Sequence, residues 1–256
     1  MTLLSKEYEA LSPEEIVELS PRELFRIVGA EIGGRWEALA DHAETFMAAR
    51  QNHSTKKTLI LVCAQHPLKN GVEPGDEFTL RLQTAMDTAE KIKREGGDPI
   101  IYVPGSLHQP DLINLSAAGA TWLKQQGCTA HICSDDVNEF YKGAYSPAPH
   151  KGVYGCSDEA YVATQILEDD PEIGSLILVA THNQALRVTL HLIANGVTPT
   201  QTIAVKPEKA YHTPENETKV NIPSVLMAKD PTFQSPDEPL PVFLRKLRIP
   251  GFPCTP

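Results

Sequence analysis

Five short apolar runs recur through the middle of the chain: Leu59-Ile60-Leu61-Val62, Pro99-Ile100-Ile101-Tyr102-Val103, Ala130-His131-Ile132-Cys133, Leu176-Ile177-Leu178-Val179 and Thr202-Ile203-Ala204-Val205. Each has the length of a strand. Between them lie amphipathic segments at 77–95, 115–126, 157–168 and 184–195, and Gly96, Gly127 and Gly196 close three of these. Parallel neighbours in a sheet need a crossover long enough to hold a helix. Strand and helix in strict alternation therefore predict an α/β fold, a mostly parallel five-stranded Rossmann-like sheet with helices on both faces.

The pattern changes on either side of this block. Residues 12–51 read as helical, and Ser12-Pro13-Glu14-Glu15 and Ser20-Pro21-Arg22-Glu23 each set a capping serine three residues before a glutamate with proline at the first helical position. Two short helices are expected to start there. A longer one, rich in Ala, Glu and Leu, is expected from Arg35 to Arg50, and a polar linker follows from Gln51 to Lys57. Past Lys206 come Pro207, Pro214, Pro223, Pro231, Pro236, Pro239, Pro241, Pro250, Pro253 and Pro256, which predict an extended tail over the surface, with one helical turn at Val242 to Leu247. The expected organisation is an N-terminal helical extension over 1–56, an α/β domain over 57–206, and a Pro-rich C-terminal tail over 207–256 packed on that domain.

At 256 residues, with 41% hydrophobic and 22% charged residues and a mean hydropathy of -0.25, the chain has the make-up of an ordinary globular protein with a sizeable core. Lys and Arg number 23 against 33 Asp and Glu, a net charge of -10. Duplex nucleic acid or an anionic bilayer would meet a repulsive average field, so neither is an expected partner, while a basic pocket for a small anion remains open. No basic stretch followed by an apolar one marks the N-terminus, and no run approaches the roughly 20 apolar residues of a spanning helix. A cytoplasmic location is expected, and the sequons at Asn52, Asn114 and Asn216 read as chance matches. Cys63, Cys128, Cys133, Cys156 and Cys254 lack CxxC spacing and read as reduced thiols.

In open parallel sheets ligands sit beyond the carboxyl ends of the strands. The residues there are polar: Gln65 and His66 after the first run; Gly105, Ser106 and His108 after the second; Ser134, Asp135 and Asp136 after the third; Thr181, His182 and Asn183 after the fourth. Three helix positions add to them. Arg81 lies on the stripe of Phe78, Leu82, Ala85 and Ala89 near a helix N-terminus, where the macrodipole disfavours a cation, so an anionic group is expected opposite it. Glu159 lies on the face of Ala163 and Ile166 in the first turn of the helix opened by Ser157 and Asp158. Arg187 falls beside the stripe of Leu186, Leu190 and Ile193 and by that pattern alone is a surface residue. The segment from Ser134 to Cys156, with Phe140, Tyr141, Tyr145 and Tyr154 among glycines and prolines, is expected to be a lid whose aromatics cover a flat or apolar part of a ligand, the alternative being a surface Ω-loop packed by its own Tyr and Phe side chains.

No GxGxxG follows the first strand, and neither a P-loop nor a GxSxG elbow occurs. His182 with Asp135 and Asp136 lacks any established metal-ligand spacing, so no metal is predicted and no cofactor is named.

Arg81 followed by Ala85, Val103-Pro104-Gly105-Ser106, Ser157-Asp158-Glu159-Ala160, and Val179-Ala180-Thr181 leading to Arg187 together resemble the YdcF/SanA/ElyC-like family over Leu59 to Val205. The chain departs from that pattern at Gln65-His66-Pro67, where a glycine-rich turn is common, and at Gln184, where the family has histidine; His182 is the candidate replacement. The resemblance implies an α/β fold with a pocket at the strand ends and leaves the reaction open. The function expected is a small-molecule enzyme, a hydrolase or group transferase acting on an anionic, phosphorylated, nucleotide-like or carboxylated ligand. Glu159 and His182 are the expected catalytic groups, and Gln65, His66, Arg81, Gly105, Ser106, Ser157, Asp158, Thr181, Gln184 and Arg187 the expected ligand contacts. The alternative is a binding or regulatory protein that uses the same crevice without turnover.

Overall fold

The computed structural model describes residues 4–52, 56–64, 69–70, 72–105, 115–134 and 156–228, the side chains of Ser157, Asp158 and Ala228 excepted. Five strands, β1 (Lys57–Val62), β2 (Asp98–Val103), β3 (His131–Ser134), β4 (Ile173–Thr181) and β5 (Gln201–Val205), pair in the order β3-β2-β1-β4-β5. All four pairings are parallel. The sheet is the α/β arrangement that the alternating pattern predicts.

Side chains of β1 alternate between two apolar layers, as the two-residue period of a strand requires. Leu59, Leu61 and Cys63 pack with residues of α7 (Cys156–Asp169), α8 (His182–Ala194) and Met47 of α4 (Ala30–Asn52). Ile60 and Val62 face Phe78 and Leu82 of α5 (Asp76–Arg94) and Leu123 of α6 (Leu115–Gln125). Both faces are covered, which is why the central strands are apolar at successive positions. Leu61 pairs with Leu178 and Val62 with Val179, so β1 and β4 end level. From β1 the chain proceeds through α5 to β2 on one side; from β4 it proceeds through α8 to β5 on the other. Strand order thus reverses between β1 and β4, where parallel sheets open a crevice at their carboxyl ends.

The N-terminal helices α1 (Lys6–Ala10), α2 (Pro13–Val17) and α3 (Pro21–Ile27) begin as their sequence dictates. Ser12 and Ser20 form complete capping boxes with Glu15 and Glu23. The long helix α4 starts at Ala30 rather than Arg35, because burial of Ile32 and Trp36 against Leu24, Phe25 and Val28 outweighs the low helix propensity of Gly33 and Gly34. This layer packs on Leu186, Leu190 and Ile193 of α8.

The expectation of an extended tail past Lys206 is corrected over 214–228, which is helical: α9 (Pro214–Asn216), a π-helical turn (Glu217–Asn221) and α10 (Ile222–Ala228). The prolines mislead because of where they fall. Pro214 is the first helical residue after the cap Thr213, and Pro223 lies where the π-helical turn passes into α10 and the regular hydrogen-bond ladder is already interrupted. Tyr8 Oη donates to the Thr218 carbonyl at 2.8 Å and Trp36 Nε1 to the Leu226 carbonyl at 3.1 Å, fastening this segment to the N-terminal layer. Residues 229–256, with the turn expected at Val242 to Leu247, lie outside the described residues. No described helix is long and apolar enough to cross a membrane.

Candidate functional site

At the reversal point two arginines lie buried with three carboxylates: Arg81, Arg187, Glu77, Glu159 and Glu217. Arg81, from α5, has no exposed surface. Its Nη1 donates to the Cys63 carbonyl at 2.8 Å, and its Nη2 donates to Gln184 Oε1 at 2.7 Å and also to Glu77 Oε1 and Thr181 Oγ1. The anion expected opposite Arg81 comes from its own helix, since residues four apart share a face. The Thr181 hydroxyl donates to Glu77 Oε1, and the Tyr211 N–H donates to Glu77 Oε2 at 2.7 Å. Burial pushes the Glu77 carboxyl up, but the Arg81 charge and the three donors outweigh it, so the net shift is downward and the group stays ionised at neutral pH.

Arg187 is only 7% exposed, which corrects the surface reading. Residues Asn183 to Ala194 of α8 are all buried, because the helix is held between the sheet and the N-terminal layer and has no free face. Arg187 Nε and Nη2 donate to Glu217 Oε2 and Oε1 at 2.7 and 3.1 Å, the paired geometry in which guanidinium binds carboxylate most strongly. Asn221 Nδ2 also donates to Glu217 Oε1 at 3.0 Å, and His212 Nδ1 lies 3.2 Å from the same oxygen. Asn183 Nδ2 holds the His212 carbonyl at 2.6 Å. Nη1 of Arg187 makes no hydrogen bond among the described residues. Desolvation lowers the Arg187 pKa, but Cys156, Glu217 and Glu159 outweigh it, and the group stays a cation. For His212, desolvation and then the Arg187 charge bring the pKa down to about 4, so its imidazole is neutral at pH 7.

Glu159, 5% exposed in the first turn of α7, acts electrostatically on Cys63, Cys156 and Arg187. It belongs to the cluster, as its place on the inward face predicts. Desolvation raises the Cys63 thiol and brings the Cys156 thiol to about 12, so neither is a thiolate nucleophile at neutral pH.

The structure thus brings Arg81, Thr181, Gln184, Arg187 and Glu159 together. Thr181 caps α8 without a side-chain capping bond, its hydroxyl being turned to Glu77. His182 opens α8 half-buried, with Nδ1 buried and no hydrogen-bond partner for it among the described residues. Gly105 lies at the end of β2 with φ +115, and a Cβ there would stand 3.1 Å from both Ala64 Cβ and Leu115 Cβ, so the tight turn requires glycine. Ser157 and Asp158 fall in the first turn of α7, with side chains that are not described. Gln65, His66, Ser106, His108, Asp135 and Asp136, and the segment expected to be a lid apart from its ends at Ser134 and Cys156, lie outside the described residues. Among the described residues no group of three or more His, Cys, Asp or Glu is placed to hold a metal.

Sequence reasoning missed Glu77, Glu217, His212 and Tyr211. Glu77 was within reach as the residue four before an arginine on an apolar stripe. Glu217 has no such local signal. The chain matches no protein-family model, no curated protein and no solved structure.

Proposed function

We propose that the chain is a small-molecule enzyme, a hydrolase or group transferase, whose anionic ligand, phosphorylated, nucleotide-like or carboxylated, binds at the carboxyl ends of β1 and β4. The observation that carries this reading is the burial of two arginines and three carboxylates at the point where strand order reverses. Moving ions out of water costs several kcal/mol each, and packed apolar side chains serve stability as well or better, so such a cluster points to chemistry. Arg187 takes the anion through Nη1, Glu159 accepts a proton or orients the substrate, and His182 supplies a general acid or base. The α/β core is proposed as a divergent relative of the YdcF/SanA/ElyC-like proteins, a reading supported by the burial of Arg81, Glu159 and Arg187 within one charge cluster. A cytoplasmic setting without nucleic-acid or membrane partners goes with this reading, supported by the net charge of -10 and the free thiols of Cys63, Cys128, Cys133 and Cys156.

The test is anion-dependent stability. Phosphate at a hundredfold excess over its dissociation constant should stabilise the protein by about 2.7 kcal/mol. Arg187→Lys keeps a cation for Glu217 and removes Nη1, so it should lose most of that gain; equal stabilisation of both proteins sinks the reading. A binding protein without turnover is the second reading, favoured by the internal carboxylate that each arginine already carries. Glu159→Gln separates the two once turnover is found: an enzyme loses on the order of 10²–10⁴ in rate with ligand affinity intact.

A further inference from the structure

Three large apolar side chains are exposed among the described residues, Val72 at 46%, Leu80 at 38% and Tyr211 at 60%, and of these Tyr211 is bonded through its backbone to the charge cluster. Val72 lies between β1 and α5, Leu80 one turn along α5 from Glu77, and Tyr211 follows β5. Single exposed apolar residues need no explanation, but an exposed ring whose own backbone is bonded to a buried charge cluster does.

Tyr211 is the most exposed of the three and is firmly held. Its N–H donates to Glu77 Oε2 at 2.7 Å, and the next carbonyl, of His212, accepts from Asn183 Nδ2 at 2.6 Å. Residues 206–213 have no regular secondary structure, so these bonds to site residues position the segment. The Tyr211 ring stands edge-on to His212, with centroids 5.1 Å apart and an interplanar angle of 80°. His212 in turn lies 3.2 Å from the carboxylate that pairs with Arg187. One aromatic side chain is therefore left in solvent while the backbone on both sides of it is bonded to the cluster. A tyrosine with a packing role would be turned inward; a fixed, exposed ring is suited to contact.

We propose that Tyr211, with His212 beside it, stacks on a flat ring of the ligand whose anionic group Arg187 takes, which narrows the ligand class to nucleotide-like phosphates. This rests on the anion-binding reading above. At neutral pH the His212 ring is uncharged, so the corner it forms with Tyr211 accepts a nucleobase without burying a second cation.

The experiment measures dissociation constants of inorganic phosphate, ribose 5-phosphate, adenosine and adenosine 5′-monophosphate on the full chain and on Tyr211→Ala, Tyr211→Phe and Arg187→Lys. Stacking should make adenosine 5′-monophosphate bind roughly 5- to 150-fold tighter than ribose 5-phosphate. Tyr211→Ala should abolish that ratio and leave ribose 5-phosphate unchanged, while Tyr211→Phe keeps the ratio. A ratio of one in the parent protein, or a ratio that survives Tyr211→Ala, overturns the ring site and leaves the anion reading standing. Adenosine bound through Tyr211, with phosphate binding indifferent to Arg187→Lys, overturns the anion reading instead. Binding of none of the four probes overturns both.

Discussion

On the α5 side of the cluster Arg81 is matched from within its own helix, by Glu77 one turn back, and also bonds to Thr181, Gln184 and the Cys63 and Ala64 carbonyls. On the α8 side Arg187 is matched by Glu217, thirty positions downstream at the start of a π-helical turn. The first pair lies within one helix, α5, and its arginine bonds to the ends of β1 and β4. The second requires a separate helical segment to dock, and the bonds of that segment to Tyr8 and Trp36 tie its docking to the N-terminal helices. On the proposal above, the α5 side serves as scaffold and the α8 side, where Nη1 of Arg187 makes no hydrogen bond among the described residues, is the one a ligand would meet.

Removing each carboxylate is the severest way to break this contrast. Glu217→Ala leaves Arg187 buried without its partner and should destabilise by about 3–5 kcal/mol, the usual penalty for an orphaned buried ion. Glu77→Ala leaves Arg81 with the Cys63 and Ala64 carbonyls, Thr181 and Gln184 among its acceptors and should cost about 2–3 kcal/mol. Urea unfolding of the two variants ranks them directly. A larger loss for Glu77→Ala would reverse the assignment of scaffold and responsive side.

The same contrast governs what the sequence discloses. The five strands are legible because the central ones are buried on both faces and carry no polar interruption, and the short helices are legible because Ser12 and Ser20 cap through residues three positions away. Arg81 is legible as a buried cation because its helix has one apolar stripe. Arg187 is not, because stripe analysis assumes a helix with one buried face and α8 is buried on nearly all sides. Glu217 is hidden for a different reason: its partner is set by the docking of a segment whose prolines mimic an extended tail. Local periodicity discloses pairs within one element and is silent on pairs that only tertiary packing creates.

Acid titration sharpens the comparison, since the two sides should weaken in different windows. The His212 pKa is lowered by folding, from an ordinary value near 6.5 to about 4. Below pH 6.5 the unfolded chain therefore binds a proton that the folded one refuses, and stability falls as pH drops from 6.5 towards 4, by about 2–3 kcal/mol in all. Glu77 is also shifted down, but from the carboxylate range, so its contribution is complete at neutral pH and is lost only as pH falls below that range. Stability measured against pH should show the upper slope vanish in His212→Asn and persist in Glu77→Gln. An upper slope unchanged in His212→Asn would place the acid sensitivity elsewhere.

The smallest effect concerns whether the two sides act as one unit. They share α8, which carries Gln184 for Arg81 and Arg187 itself and is capped by Thr181, and they share the segment 211–217, whose Tyr211 N–H binds Glu77 and whose Glu217 binds Arg187. Groups within one hydrogen-bonded network couple by about 0.5–3 kcal/mol, whereas distant independent sites add within about 0.5 kcal/mol. Glu77→Gln frees the backbone at Tyr211 without leaving a vacant site, and Glu217→Gln weakens the second pair while keeping its shape. The double variant should then lose less than the two single losses together, with a coupling near 0.5–1 kcal/mol, because the first change has already loosened the segment that the second depends on. Tyr211→Pro removes the shared N–H and should bring that coupling to zero if the 211–217 segment transmits it; a coupling that survives would mean the two sides communicate through the body of α8.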